Sequence, residues 1–109
     1  MQTSQISSIE ANLFEAIKAN DIKAVEELLK KNVPLHSYNE ENLTPLMVAA
    51  KHGYQEIIEL LVSKGASLYQ RSGKINEEYW GQGLTAEKVA QVHRQFQAEE
   101  LLNTFAYRY

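Results

Sequence analysis

Few residues of this 109-residue chain are of a type that could do chemistry, and their spacing decides what each can do. Three histidines, His36, His52 and His93, could hold a metal or act as general bases. Zinc needs donors at about 2 Å, usually more nitrogen or sulfur atoms than two such rings supply. Ser72, Gly73 and Lys74 form a turn-like SGK without the earlier glycine and spacing of a phosphate loop. The carboxylate pairs Glu77–Glu78 and Glu99–Glu100 are adjacent, so on a helix their side chains diverge and read as surface charge. No nucleophile elbow or metalloprotease helix motif occurs, and the absence of cysteine excludes disulfides, thiolate metal sites and a cysteine nucleophile. What remains is recognition chemistry. Tyr69, Arg71, Lys74, Tyr79 and Trp80 gather in one short stretch, and Tyr, Trp and Arg are the side chains enriched at interface hot spots.

The elements that must position these residues repeat along the chain. Leu13 and Leu46, Ala16 and Ala49, Val25 and Ile58, Leu28 and Leu61, and Leu35 and Leu68 are all 33 residues apart. Thr44 and Thr85, Ala49 and Ala90, His52 and His93, and Leu61 and Leu102 are 41 apart, so eight extra residues lie in the connection over 69–83. In the middle unit Thr44–Pro45 predicts a helix start, and Gly53 a left-handed stop. A second helix is expected from about Gln55, with Ile57, Ile58, Leu60, Leu61 and Val62 making an apolar face too broad for one-sided packing, and Gly65 ending it. Ala49 and Ala50 are small enough for helices to approach to about 8–10 Å. Each unit therefore lacks a core of its own and is covered by its neighbours. His52 and His93 then stand about one inter-helix spacing apart, too far for a shared zinc but able to make binding pH-sensitive.

The stretch TPLMVAAKHGYQEIIELLVSKGASL resembles the ankyrin repeat, with departures at Asn42, Met47 and Tyr54. Asn42 takes the place of the turn glycine, and asparagine tolerates the left-handed region, so that turn survives; the first unit matches less well, with Asn20 and Asn32 replacing the helix-ending glycines. Ser7 and Glu10 have capping-box spacing, which predicts an early start to the first helix. The expected fold is an all-α ankyrin-repeat solenoid of three stacked helix-turn-helix units, joined by hairpin-like loops, the last carrying the insertion. It forms a single domain over 1–109, with units at about 6–38, 39–71 and 72–109.

The resemblance implies a protein-binding module that uses hairpin tips and the exposed side of the first helix of each unit. Carried onto this sequence, the partner-binding set is Tyr38, Glu40, Glu41, Leu43, Lys51, His52, Leu84 and His93, with Lys18, Ala19 and Val92 at matching positions. Arg71, Tyr79 and Trp80 join from the insertion, which either binds, with Trp80 as anchor, or folds back over the last unit. Phe105 and Tyr107, in the aromatic end NTFAYRY, are expected to cap that unit rather than form an exposed strand.

With 44% hydrophobic and 23% charged residues the composition is that of a globular protein, and no run approaches the roughly 20 apolar residues of a membrane span. The first residues do not read as a signal peptide, so a cytoplasmic location is expected. The formal charge of −3, from 11 basic and 14 acidic residues, offers no basic stripe for nucleic acid. The expected partner is another protein, met by a monomer that acts as inhibitor, adaptor or protective partner, without cofactor or metal and without enzymatic activity. The alternatives are a small enzyme or ligand-binding protein using a crevice beside the insertion, or a self-assembling unit whose aromatic end docks on a second copy.

Overall fold

A computed structural model describes residues 8–73 and 83–108. Six helices follow in order: α1 Ser8–Lys18, α2 Ile22–Leu29, α3 Pro45–His52, α4 Gln55–Ser63, α5 Ala86–Val92 and α6 Phe96–Arg108. They form three antiparallel pairs, in which α3 packs between α1 and α5, and α4 between α2 and α6. Among the described residues no strand occurs and no helix is long and apolar enough to cross a membrane.

Three of the helix starts are written in side-chain oxygens. Asp21 Oδ1 accepts from Ala24 N at 3.2 Å, Thr44 Oγ1 from Met47 N at 3.3 Å, and Thr85 Oγ1 from Lys88 N at 3.4 Å. Each satisfies an amide that the first helical turn leaves without a partner.

The turn inside each pair is also one structure used three times. Asn20, Gly53 and Arg94 occupy equivalent positions with φ of 56°, 75° and 60°. In each, the next amide reaches five residues back: Asp21 N to Ala16 O at 3.0 Å, Tyr54 N to Ala49 O at 3.0 Å, and Gln95 N to Ala90 O at 2.8 Å. This closes the helix end with carbonyls that would otherwise be orphaned. Asparagine fills the role in the first unit in place of glycine, and Asn32 and Gly65 repeat it after the second helices with φ of 58° and 99°. Arginine carries it in the third unit, where a β-carbon makes the left-handed region costlier.

Packing follows from the stack. Every residue of α3 from Pro45 to Ala50 is buried, and Ala49 and Ala50 are fully so. Ile57, Ile58 and Leu61 are also fully buried, covered on two sides by α2 and α6. Met47, one of the departures from the ankyrin pattern, is 1% exposed and fills its site with a thioether. The outer flanks exchange apolar for polar side chains at equivalent positions. Glu15 replaces Val48, while Lys88, Gln91 and Asn103 replace Met47, Ala50 and Val62, and all four replacements are exposed. The interior is thus shared by three units and faced with polar groups at both ends.

The terminal helices are lengthened. α1 begins four residues before the position equivalent to Pro45, the early start that the sequence predicts; Ser7 lies outside the described residues. α6 continues over 105–108, beyond the equivalent of the end of α4, so the aromatic end is helical there and not strand-like. Phe105 is half-buried against the core, and Tyr69 Oη donates to Ala106 O at 3.3 Å. Tyr109 lies outside the described residues.

Candidate partner-binding face

The connections between units form hairpin tips, and the first is built around Asn39. Its backbone N donates to Leu43 O at 2.9 Å, and its side-chain Oδ1 accepts from Leu43 N at 3.0 Å and Glu41 N at 2.9 Å. Asn42 completes the turn with φ of 64°, in the place the family gives to glycine. These bonds push Asn39 inward, to 6% exposure, and turn Glu40 and Glu41 out to solvent. Asn39 Nδ2 is buried without a hydrogen-bond partner.

The second tip uses the same closure around a longer loop. Ser72, equivalent to Asn39, donates its backbone N to Leu84 O at 2.8 Å, and its Oγ accepts from Leu84 N at 2.9 Å. The closing residues are four apart in the first tip and twelve in the second, a difference equal to the eight inserted residues. The eight inserted residues therefore fall between the closing residues and leave the base of the hairpin intact. Arg71 Nη1 donates to Gly83 O at 2.8 Å at this base. A β-carbon on Gly83 would overlap the Ser72 carbonyl oxygen, so glycine is needed for the two sides of the hairpin to approach.

Adjacent tips are joined side by side. Gly73 N donates to Asn42 O at 2.8 Å, Tyr38 Oη to Arg71 O at 2.7 Å, and Gln70 Nε2 to His36 O at 3.0 Å. Tyr38 stays 38% exposed, its ring on the surface and its hydroxyl anchored.

The ends of the inner helices adjoin the tips. Lys18 Nζ lies 3.5 Å from Glu40, and Lys51 Nζ 3.4 Å from Glu41. His52 is exposed and stacks on Tyr54 with ring centroids 5.2 Å apart. Tyr54 Oη in turn donates to Lys18 O at 3.3 Å. Partial burial, then the positive charge of Lys51, His93 and Lys18, hold the His52 pKa below its ordinary value, with Glu41 opposing. A backbone hydrogen bond at Glu40, then Lys18, lower the pKa of that carboxyl. His93 Nδ1 sits 3.0 Å from Val89 O, which accepts and so requires the proton on Nδ1.

Most of the expected site residues come together on this face: Tyr38, Glu40, Glu41, Lys51, His52, Arg71, Leu84 and His93. Leu43 is a correction. It is 6% exposed and belongs to the core, because the backbone alternates at the tip and the bonds to Asn39 leave its side chain on the inner side. Leu84 is half-buried by the same closure. Tyr79 and Trp80 lie outside the described residues. Sequence reasoning missed Tyr54, which supports His52, and the Asn39–Ser72 pair, whose offset of 33 is a readable signal. It also missed Phe96, 65% exposed at the start of α6.

Chemically, this face can match charge, hydrogen bonds and aromatic surface. Among the described residues no group of three or more histidine, aspartate or glutamate side chains could hold a metal ion. The grooves outside the face, such as that between Leu29–His36 and Lys64–Gly65, are open to solvent.

Comparison with known proteins agrees with this architecture. The chain is 40% identical over 62 residues to the putative ankyrin repeat protein FPV031 of Fowlpox virus (strain NVSL), a match covering 55% of this chain and 18% of that protein. It is 36% identical over 56 residues to protein phosphatase 1 regulatory subunit 27 of Homo sapiens, covering 51% of this chain and 36% of the relative. Among solved structures it resembles a chain of the Bd0816 predatory endopeptidase from Bdellovibrio bacteriovorus in complex with immunity protein Bd3460. That likeness has 29% identity and a TM-score of 0.73, and covers 92% of this chain and 47% of the other. The family pattern for ankyrin repeats in three copies spans residues 9–103, and with the thrice-repeated turn and shared interior it follows that the chain belongs to the ankyrin-repeat family.

Proposed function

We propose that the chain binds one cognate protein through its hairpin tips, the ends of its inner helices and the insertion, and acts by occupying that protein's surface. It works as an inhibitor or protective partner, in the cytoplasm, as a monomer and by binding rather than catalysis. The observation that carries this reading is the division of side chains. The interior is consumed by stacking, whereas Tyr38, Glu40, Glu41, Arg71, His52 and His93 are exposed together at one edge. Such a surface can offer aromatic contacts within a charged rim.

The inhibitory reading over a mere adaptor is supported by the solved neighbour, a complex of an endopeptidase with an immunity protein. Affinity capture from the native cell with wild type, Trp80→Ala and Arg71→Ala tests it. One dominant partner is expected, lost or strongly reduced with the variants and inactivated by stoichiometric wild type. Many unrelated proteins captured alike, or one partner retained equally by all forms, would contradict it.

A further inference from the structure

We propose that the exposed ends of the inner helices form a receptor for an acidic segment of the partner protein. The proposal rests on the partner-binding reading above and adds the chemistry that the face recognises. Lys18 ends α1, Lys51 and His52 end α3, and His93 follows α5. Lys18 and Lys51 are 33 residues apart and His52 and His93 are 41 apart, so stacking lines these groups up across neighbouring units. A helix C-terminus favours a cation, which accounts for each singly.

The acids that meet them come from one hairpin tip. Glu40 lies on Lys18 at 3.5 Å with its side chain 77% exposed, and Glu41 on Lys51 at 3.4 Å with its side chain 49% exposed. Pairs at this exposure hold weakly, so an incoming carboxylate can replace either. Among the described residues His52 feels the charge of Lys51, His93 and Lys18, opposed by Glu41, which is already engaged by Lys51. Partial burial first, and then the charge of Lys51, keep the His52 pKa below its ordinary value, so an added carboxylate there would act against both. In the last unit Val92, 46% exposed, takes the position of Lys18 and Lys51, so the row ends in an apolar contact. An acidic peptide run fits this arrangement better than a nucleic acid does. The chain is net −3, and Glu26, Glu59 and Glu100 stand exposed in register on the outer helices, where an extended polyanion would be repelled.

Hexaglutamate titrated into the isotope-labelled full chain at low salt tests this by NMR, with hexalysine and oligodeoxythymidine as controls. Shifts are expected at Lys18, Lys51, His52 and His93. The His52 pKa should rise on saturation, so affinity should increase as pH falls from 7 to 6. Lys51→Gln should weaken binding about two- to fivefold, the range of one exposed ion pair. Glu41→Gln should tighten it by a similar factor, because the competing internal carboxylate is gone. Spectra of the free variants confirm that both fold. No binding at millimolar hexaglutamate, shifts confined to other surfaces, or equal binding of hexalysine or the oligonucleotide would overturn the proposal. That failure leaves single-partner capture intact, whereas loss of the capture result removes the binding reading itself.

Discussion

The two hairpin tips are closed by the same two bonds, yet one spans four residues and the other twelve. In the first, Asn39 holds the turn with one side-chain oxygen that serves two amides; in the second, Ser72 holds the base with a hydroxyl that serves one. The difference teaches that loop length in this fold is decided above the closing pair and costs the scaffold little. Loop-closure entropy grows only by about 0.6 kcal/mol for each doubling of length. The stack can therefore accommodate eight more residues in this connection while α5 keeps the register of α3.

The sharpest way to break the comparison is Asn39→Ala. It strands the buried Leu43 amide and the Glu41 amide, and a cost of about 2–4 kcal/mol is expected, read as a fall of 10 °C or more in Tm on the order of the usual conversion for this size. Asn39→Asp keeps the acceptors and removes the unpartnered Nδ2 donor, so it should cost nothing near neutral pH; a loss as large as that of alanine would show that the amide group matters.

Gly83→Ala probes the long tip where its two sides touch. Overlap with the Ser72 carbonyl should destabilise by about 1–3 kcal/mol in chemical denaturation. Ser72→Ala removes one accepting hydroxyl from Leu84 and should cost about 1 kcal/mol, less than Asn39→Ala. An equal cost for the two would mean that the second side-chain bond of Asn39 is idle.

The smallest expected effect is in pH. The first tip, through Glu41 and Lys51, adjoins His52, whose folded pKa is lowered, so the unfolded chain takes up its proton first. Stability should then decline as pH falls through about 6.5, the ordinary histidine value, toward the lower folded pKa. His52→Gln should flatten that part of the profile in denaturant titrations at pH 7 and 5.5.

Much of this fold was legible because stacking imposes a period, and a period survives substitution. The offsets of 33 and 41 identified the units and the capping threonines, and Asn42 was read as a left-handed turn residue, whereas the same conformation at Asn20 and Asn32 was not foreseen. Arg94 was harder, since arginine has no preference for positive φ and only the register with Gly53 reveals its conformation. Leu43 was misread because exposure at a hairpin alternates residue by residue, and a family position does not say which neighbour turns inward. Tyr54 escaped notice because its contact with His52 depends on side-chain direction across the turn, which spacing alone does not encode.

The most direct test of the whole account is to delete residues 75–82, which restores the four-residue spacing of the first tip to the second. If the stack is a scaffold and the insertion part of its binding surface, thermal unfolding should remain cooperative, with stability unchanged or raised by about 1 kcal/mol, while capture of the cognate partner is lost. A shortened chain that no longer folds, or one that folds and binds its partner as tightly as before, would contradict it.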